Sequence, residues 1–178
     1  MANWILYAHR HWFAGVFQAL REELLKNEIL HADETSLMVL QEEGRKAQQK
    51  SYVWVYRISG NTPRPVILYD YQPSRAGDCA SNFLNGFQGL LHTDGYDGYH
   101  CKLPPEITVV GCWAHMRRKF ADTLKSIPKD IREKSPAQAG LDYCNQLFAL
   151  EECWSRQDLS YAPYICKLTL PKFGRWCL

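Results

Sequence analysis

Between residues 9 and 27 the apolar positions Phe13, Val16, Phe17, Leu20 and Leu24 recur at spacings of three and four, with Arg21, Glu22 and Glu23 between them. That spacing draws one apolar stripe along a helix and predicts that the helix packs on a sheet. The period then changes. EILHADETSLMVLQ (28–41), SYVWVYRIS (51–59) and PVILYDYQ (65–72) are rich in β-branched, aromatic and aliphatic residues, and EEGRKAQQK and GNTPRP between them have loop composition. Three consecutive strands on short connections predict an antiparallel meander.

In SRAGDCASNFLNGF (74–87), Ser74 can cap a short helix that ends before Gly86. GLLHT (89–93) predicts a fourth strand, ended by Asp94. ITVVGCW (107–113) is apolar on both alternations and predicts a fifth strand buried on both faces. Helical composition resumes in AHMRRKFADTLKSI and in PAQAGLDYCNQLFALEECW. An antiparallel meander followed by a strand-helix-strand alternation suits an α/β class with a mixed sheet flanked by helices, the arrangement of ribonuclease-H-like domains. The stretch from Cys153 onward has no clear period and is read as a divergent tail, 153–178, behind a core of residues 1–152.

Composition adds bounds. The chain has 178 residues, 46% hydrophobic and 22% charged, so one soluble core of ordinary size is expected. No run reaches the roughly 20 apolar residues of a membrane span, and MANWILYAHRHW lacks the pattern of an export signal, so the expected location is the cytosol. Seven scattered cysteines are expected to stay reduced. The net charge of +2 neither demands nor excludes nucleic acid, but bases gather in GRKAQQK (44–50) and MRRKF (116–120).

Chemistry enters with two aspartates. Asp33 interrupts HADET in the first strand and Asp94 ends the fourth. If those strands are neighbours, the two carboxylates can share one hard divalent cation, Mg²⁺ or Mn²⁺. Gly95 and Gly98 would turn the backbone away and leave room for a bulky ligand. Asp94 also has a plain reading as a strand-end aspartate bonded to its own turn, and Asp33 one as an exposed edge residue. Glu34 falls on the opposite side of the strand from Asp33. His100, Cys101, Cys112 and His115 offer a rival, a structural zinc quartet.

HADET, GRKAQQKSYVWVYR, ILYDYQPSRAG, TDGYDGY and GCWAHMRRKF, in this order, closely resemble the catalytic core of insertion-sequence transposases of the IS-sixty-six group, over roughly residues 1–152. The resemblance implies a ribonuclease-H-like fold in a bacterial cytoplasm and an Asp-Asp-Glu site, with Asp33 as first acid and Asp94 as second. It implies Mg²⁺ as cofactor, DNA as partner, cleavage at an element end and strand transfer into target DNA.

Two departures qualify that expectation. The family's zinc-binding and DNA-binding segments ahead of the core have no counterpart here, and the third acid, a glutamate downstream of an Asp-Asn pair, is missing: no Asp-Asn pair occurs, and no glutamate follows Glu152. Impaired chemistry is therefore expected, with Glu151 and Glu152 as the available stand-ins. The alternative is a non-catalytic relic that binds DNA, a second copy or intact transposase and modulates it. Arg45, Lys46 and Lys50, and in the later helix Arg117, Arg118 and Lys119, are the candidate phosphate contacts. His115 could orient a phosphate or a metal-bound water, or be capped by local backbone.

Overall fold

A computed structural model describes residues 2–42, 44–59 and 64–156; most of the segment read as a tail lies outside them. The chain divides after Cys112 into two compact units. The first begins with α1 (Ala2–Ala8), a π-helical stretch (His9–Phe13) and α2 (Ala14–Leu25). Helix thus starts earlier than the apolar spacing predicted, and much of its stripe stays open: Leu24 is fully buried, whereas Val16, Phe17 and Leu20 are exposed, Phe17 meeting the Phe83 ring edge-on. The sheet follows as β1 (Ile29–Met38), β2 (Lys50–Ile58), β3 (Ile67–Gln72), β4 (Gly89–Thr93) and β5 (Ile107–Gly111). Between β3 and β4 stands α3 (Gly77–Phe83), and between β4 and β5 the short α4 (Gly98–Lys102).

The strand order is β3-β2-β1-β4-β5. β1 pairs antiparallel with β2, and β2 with β3. β4 runs parallel to both β1 and β5. This is the expected α/β mixed sheet with flanking helices, consistent with a ribonuclease-H-like fold. β5 differs in place: it is an edge strand with only Ile107 buried, so its two apolar alternations do not translate into burial on two faces.

Alternation divides the sheet into two rows. Leu30 and Ala32 of β1, Trp54, Tyr56 and Ile58 of β2, Leu68 of β3 and Leu91 of β4 form the core row, joined by Leu24, Ala80, Phe83, Leu84 and Phe87. Tyr56 stacks on Phe83 with centroids 3.8 Å apart. Arg21 fastens α2 to the end of α3, because its Nε donates to the Phe83 carbonyl at 2.8 Å and its Nη2 to that of Asn85 at 3.2 Å. The Phe83 carbonyl is in the last turn of α3, where carbonyls lack a partner within the helix, and a cation there is favourable.

The second unit is built on α5 (Trp113–Ser126) and α6 (Pro136–Arg156), with a 3-10 turn (Arg132–Lys134) between them. Ser135-Pro136-x-Gln138 starts α6 as chemistry requires: the Gln138 N–H donates to Ser135 Oγ at 3.2 Å, and proline occupies a first-turn site that needs no donor. Leu124 and Cys144 are buried.

Candidate functional site

β1 and β4 are in parallel register, with Leu30 opposite Leu91 and His31 opposite His92. Opposed residues of a parallel ladder face the same way, and the facing repeats every second residue. Asp33 and Asp94 each stand two residues beyond the last pair of that ladder, His31 and His92, Asp33 still within β1 and Asp94 past the end of β4. The His31 and His92 rings, two positions earlier on each strand, lie 4.8 Å apart, as neighbours in one row do. Asp33 is exposed on β1; Asp94 stands one residue past β4 with 27% of its side chain open.

Each aspartate also serves its own backbone. Asp33 Oδ1 accepts from the Glu34 N–H at 2.9 Å, and Asp94 Oδ1 accepts from the Tyr96 N–H at 3.0 Å. Asp94 therefore makes the turn bond that its TDGY setting suggested. Its second oxygen lies 3.8 Å from Nη2 of Arg75.

Arg75 was not singled out from the sequence, and Glu34 only as falling on the opposite side of the strand from Asp33. Glu34 belongs to the core row of β1 with Leu30 and Ala32, and its side chain is 1% exposed. A carboxylate buried there needs charged and hydrogen-bonded partners. Arg75 supplies one through Nε at 2.7 Å and Nη2, and the Tyr99 hydroxyl supplies the other at 2.7 Å. Burial pushes the Tyr99 phenol far above its usual range, and its bond to Glu34 adds to the rise, so it remains a donor. The usable signal was parity: counting by twos from Leu30 places Glu34 inside, and an inside carboxylate calls for an arginine.

Gly98 acts differently from expectation. A side-chain carbon on Gly98 would fall 2.3 Å from the Tyr96 ring, and one on Gly77 would fall 2.3 Å from the Gly98 carbonyl oxygen. Gly98 makes room for Tyr96 and Gly77 for the start of α4, so neither vacancy is kept for a ligand. On the Asp33 row, burial first, then Arg57 and His92, lowers the His31 pKa to about 4; burial also lowers that of His92.

The candidate phosphate contacts fall into distinct settings. Arg45 is tied down by Glu42 at 2.8 Å, by Ser51 and by the Lys50 carbonyl at 3.1 Å. Lys46 and Lys50 are exposed. On α5 of the second unit Arg117, Arg118 and Lys119 are exposed, with Arg117 Nε donating to Asn145 Oδ1 at 2.7 Å. His115 Nδ1 is buried and has no hydrogen-bond partner among the described residues, so local backbone does not cap it. Glu151 and Glu152 lie exposed toward the end of α6.

Carboxylate oxygens at Asp33 and Asp94 suit a hard cation such as Mg²⁺, which keeps several waters and asks for few protein ligands. Among the described residues no group of three or more His, Cys, Asp or Glu side chains is arranged to hold a metal ion. Two carboxylates are a donor set that such an ion accepts when water completes its shell, and among the described residues His100, Cys101, Cys112 and His115 do not assemble a zinc site. No helix among the described residues is long and apolar enough to cross a membrane.

The profile of the Transposase IS66 family matches residues 1–165, extending past residue 152 where the resemblance was judged to end. The chain is 32% identical over 149 residues to the uncharacterized protein y4qI of Sinorhizobium fredii, covering 77% of this chain and 25% of that protein. It is 30% identical over 129 residues to the uncharacterized protein y4hP of the same organism, covering 67% and 22%. The chain therefore spans about a quarter of the length of these curated relatives. No solved structure matches. The order of the sheet and a match over most of the chain agree: this chain belongs to the IS66 family of transposases.

Proposed function

We infer that the chain carries the two-aspartate part of a site for metal-dependent phosphodiester cleavage and strand transfer on insertion-sequence DNA. What supports the reading is the parallel β1–β4 ladder, which pairs His31 with His92 and so puts Asp33, within β1, and Asp94, just past the end of β4, two residues beyond the same pair. When bound, Mg²⁺ would supply Lewis-acid activation of the attacking oxygen and stabilisation of the leaving one. Asp33 and Asp94 would hold it through the Oδ2 atoms that the bonds from the Glu34 and Tyr96 N–H groups leave available. Exposed Lys46 and Lys50, and Arg117, Arg118 and Lys119 of the second unit, would neutralise DNA phosphates without reading sequence.

A two-carboxylate set lacks one side of the clamp that two-ion phosphoryl transfer uses. Chemistry by the two aspartates alone is accordingly weak, and a second role is the alternative. In that role the chain binds DNA or intact transposase and dampens transposition.

Titration with Mg²⁺ or Mn²⁺ tests the site. Wild type should bind one ion, and Asp33→Asn and Asp94→Asn should each weaken binding by at least about tenfold; indistinguishable titrations would remove the site. Adding the chain to a transposition reaction run by a full-length relative separates the roles. Inhibition without any cleavage of its own favours the modulator, and Mg²⁺-dependent nicking of element-end DNA by the chain favours the enzyme.

A further inference from the structure

We propose that Arg75 is a positioning residue that presents Asp94 to a cation, an inference resting on the reading of Asp33 and Asp94 as a cation site. Arg75 meets Glu34 Oε1 with both Nε and Nη2, and its guanidinium carbon lies 3.8 Å over the ring of Tyr96. The Tyr96 hydroxyl donates to the Arg75 carbonyl at 2.7 Å, and the Tyr96 N–H donates to Asp94 Oδ1. Arg75 Nη2 faces Asp94 Oδ2 at 3.8 Å. Both oxygens of Asp94 answer to Arg75, one directly and the other through Tyr96.

Charge decides what this ring contributes. Glu34 neutralises Arg75, so the pair beside Asp94 has no net charge and repels an arriving divalent ion only weakly. Its effect is then geometric: it fixes the turn after β4 and the direction of the Asp94 carboxylate. Arginine suits the task because a planar fork can lie flat on Tyr96 while its edge engages Glu34 and Asp94, which an ammonium cannot do. Without the Glu34 charge the guanidinium would become a counter-ion for Asp94 and compete with the metal.

The test is Mn²⁺ binding to the full chain, followed by electron paramagnetic resonance, together with amide hydrogen exchange at Tyr96 without metal. Arg75→Gln should weaken Mn²⁺ binding about tenfold, the lower end of what loss of an orienting partner does, and should speed exchange at Tyr96. Arg75→Lys should recover neither in full. Glu34→Gln should weaken binding more than Arg75→Gln, and Glu34→Gln with Arg75→Gln should bind better than Glu34→Gln alone. A double variant no better than Glu34→Gln, or Arg75 variants with unchanged Mn²⁺ affinity and unchanged Tyr96 exchange, would overturn the proposal. If Asp33→Asn and Asp94→Asn leave Mn²⁺ binding untouched while Tyr96 exchange still responds to Arg75, the cation half falls together with the reading beneath it.

Discussion

Arg75 and Glu34, 41 residues apart in the chain, join through two guanidinium nitrogens and one carboxylate oxygen at the point where β1 meets the turn after β4. Removing one partner of a buried pair strands the other, at about 3–5 kcal/mol. Arg75 is itself 40% exposed, so water can partly reach the site and the cost should fall near the lower bound. Arg75→Ala is expected to destabilise the fold by about 3 kcal/mol. Urea unfolding checks this: the midpoint should drop with an unchanged slope.

Gly98 tests the same corner by packing alone. Alanine there would put its methyl carbon 2.3 Å from Tyr96 Cε1, so the ring must leave the face of Arg75 or the turn must shift. Overpacking of this kind costs about 1–3 kcal/mol. Gly98→Ala should lower the melting temperature and shift the Tyr96 ring resonances, while Gly15→Ala on α2, where nothing lies within 4 Å of the added carbon, should do neither.

How far the sequence already contained this site depends on range. The meander and the mixed sheet follow from alternation and short connections, and the pairing of β1 with β4 followed once that order was assumed. Asp33 and Asp94 were visible because a carboxylate in an apolar strand stands out locally. Arg75 was not, because its meaning depends on Glu34, and the two meet only after three strands are in register. Edge position is likewise a property of the whole sheet, so ITVVG looked central when it is not. Gly98 drew attention for the right reason, a lost side chain, but its neighbour turned out to be Tyr96.

The histidine pair predicts a pH response with a defined sign. His31 is held near pKa 4 by burial, then Arg57 and His92, against about 6.5 when unfolded. The unfolded chain therefore takes up a proton first as pH falls, and the folded state loses stability from about pH 6.5 down to pH 4, below which the contribution is gone. His31 is partly open to solvent, which screens the effect, so about 1–2 kcal/mol is expected from this residue. Unfolding free energy measured between pH 7 and pH 4 should fall more steeply in wild type than in His31→Gln. Equal slopes would mean that the ring titrates normally.

Lys46 and Lys50 make the most direct test of contact with DNA, because their neighbour Arg45 provides an internal control. Arg45 is committed to Glu42, Ser51 and the Lys50 carbonyl, whereas the two lysines are exposed in the same loop and at the start of β2. A phosphate contact releases counter-ions, and each one lost reduces the slope of log binding constant against log salt by about 0.9. Lys46→Gln with Lys50→Gln should thus flatten the slope by roughly 2 for any duplex sequence, with the melting temperature unchanged. Arg45→Gln should do the reverse: it removes the partner of Glu42 and loosens the loop, lowering stability while leaving the slope nearly intact. If instead Arg45→Gln flattens the slope as much as the lysine pair does, the guanidinium leaves Glu42 for phosphate when DNA arrives, and the loop rearranges on binding.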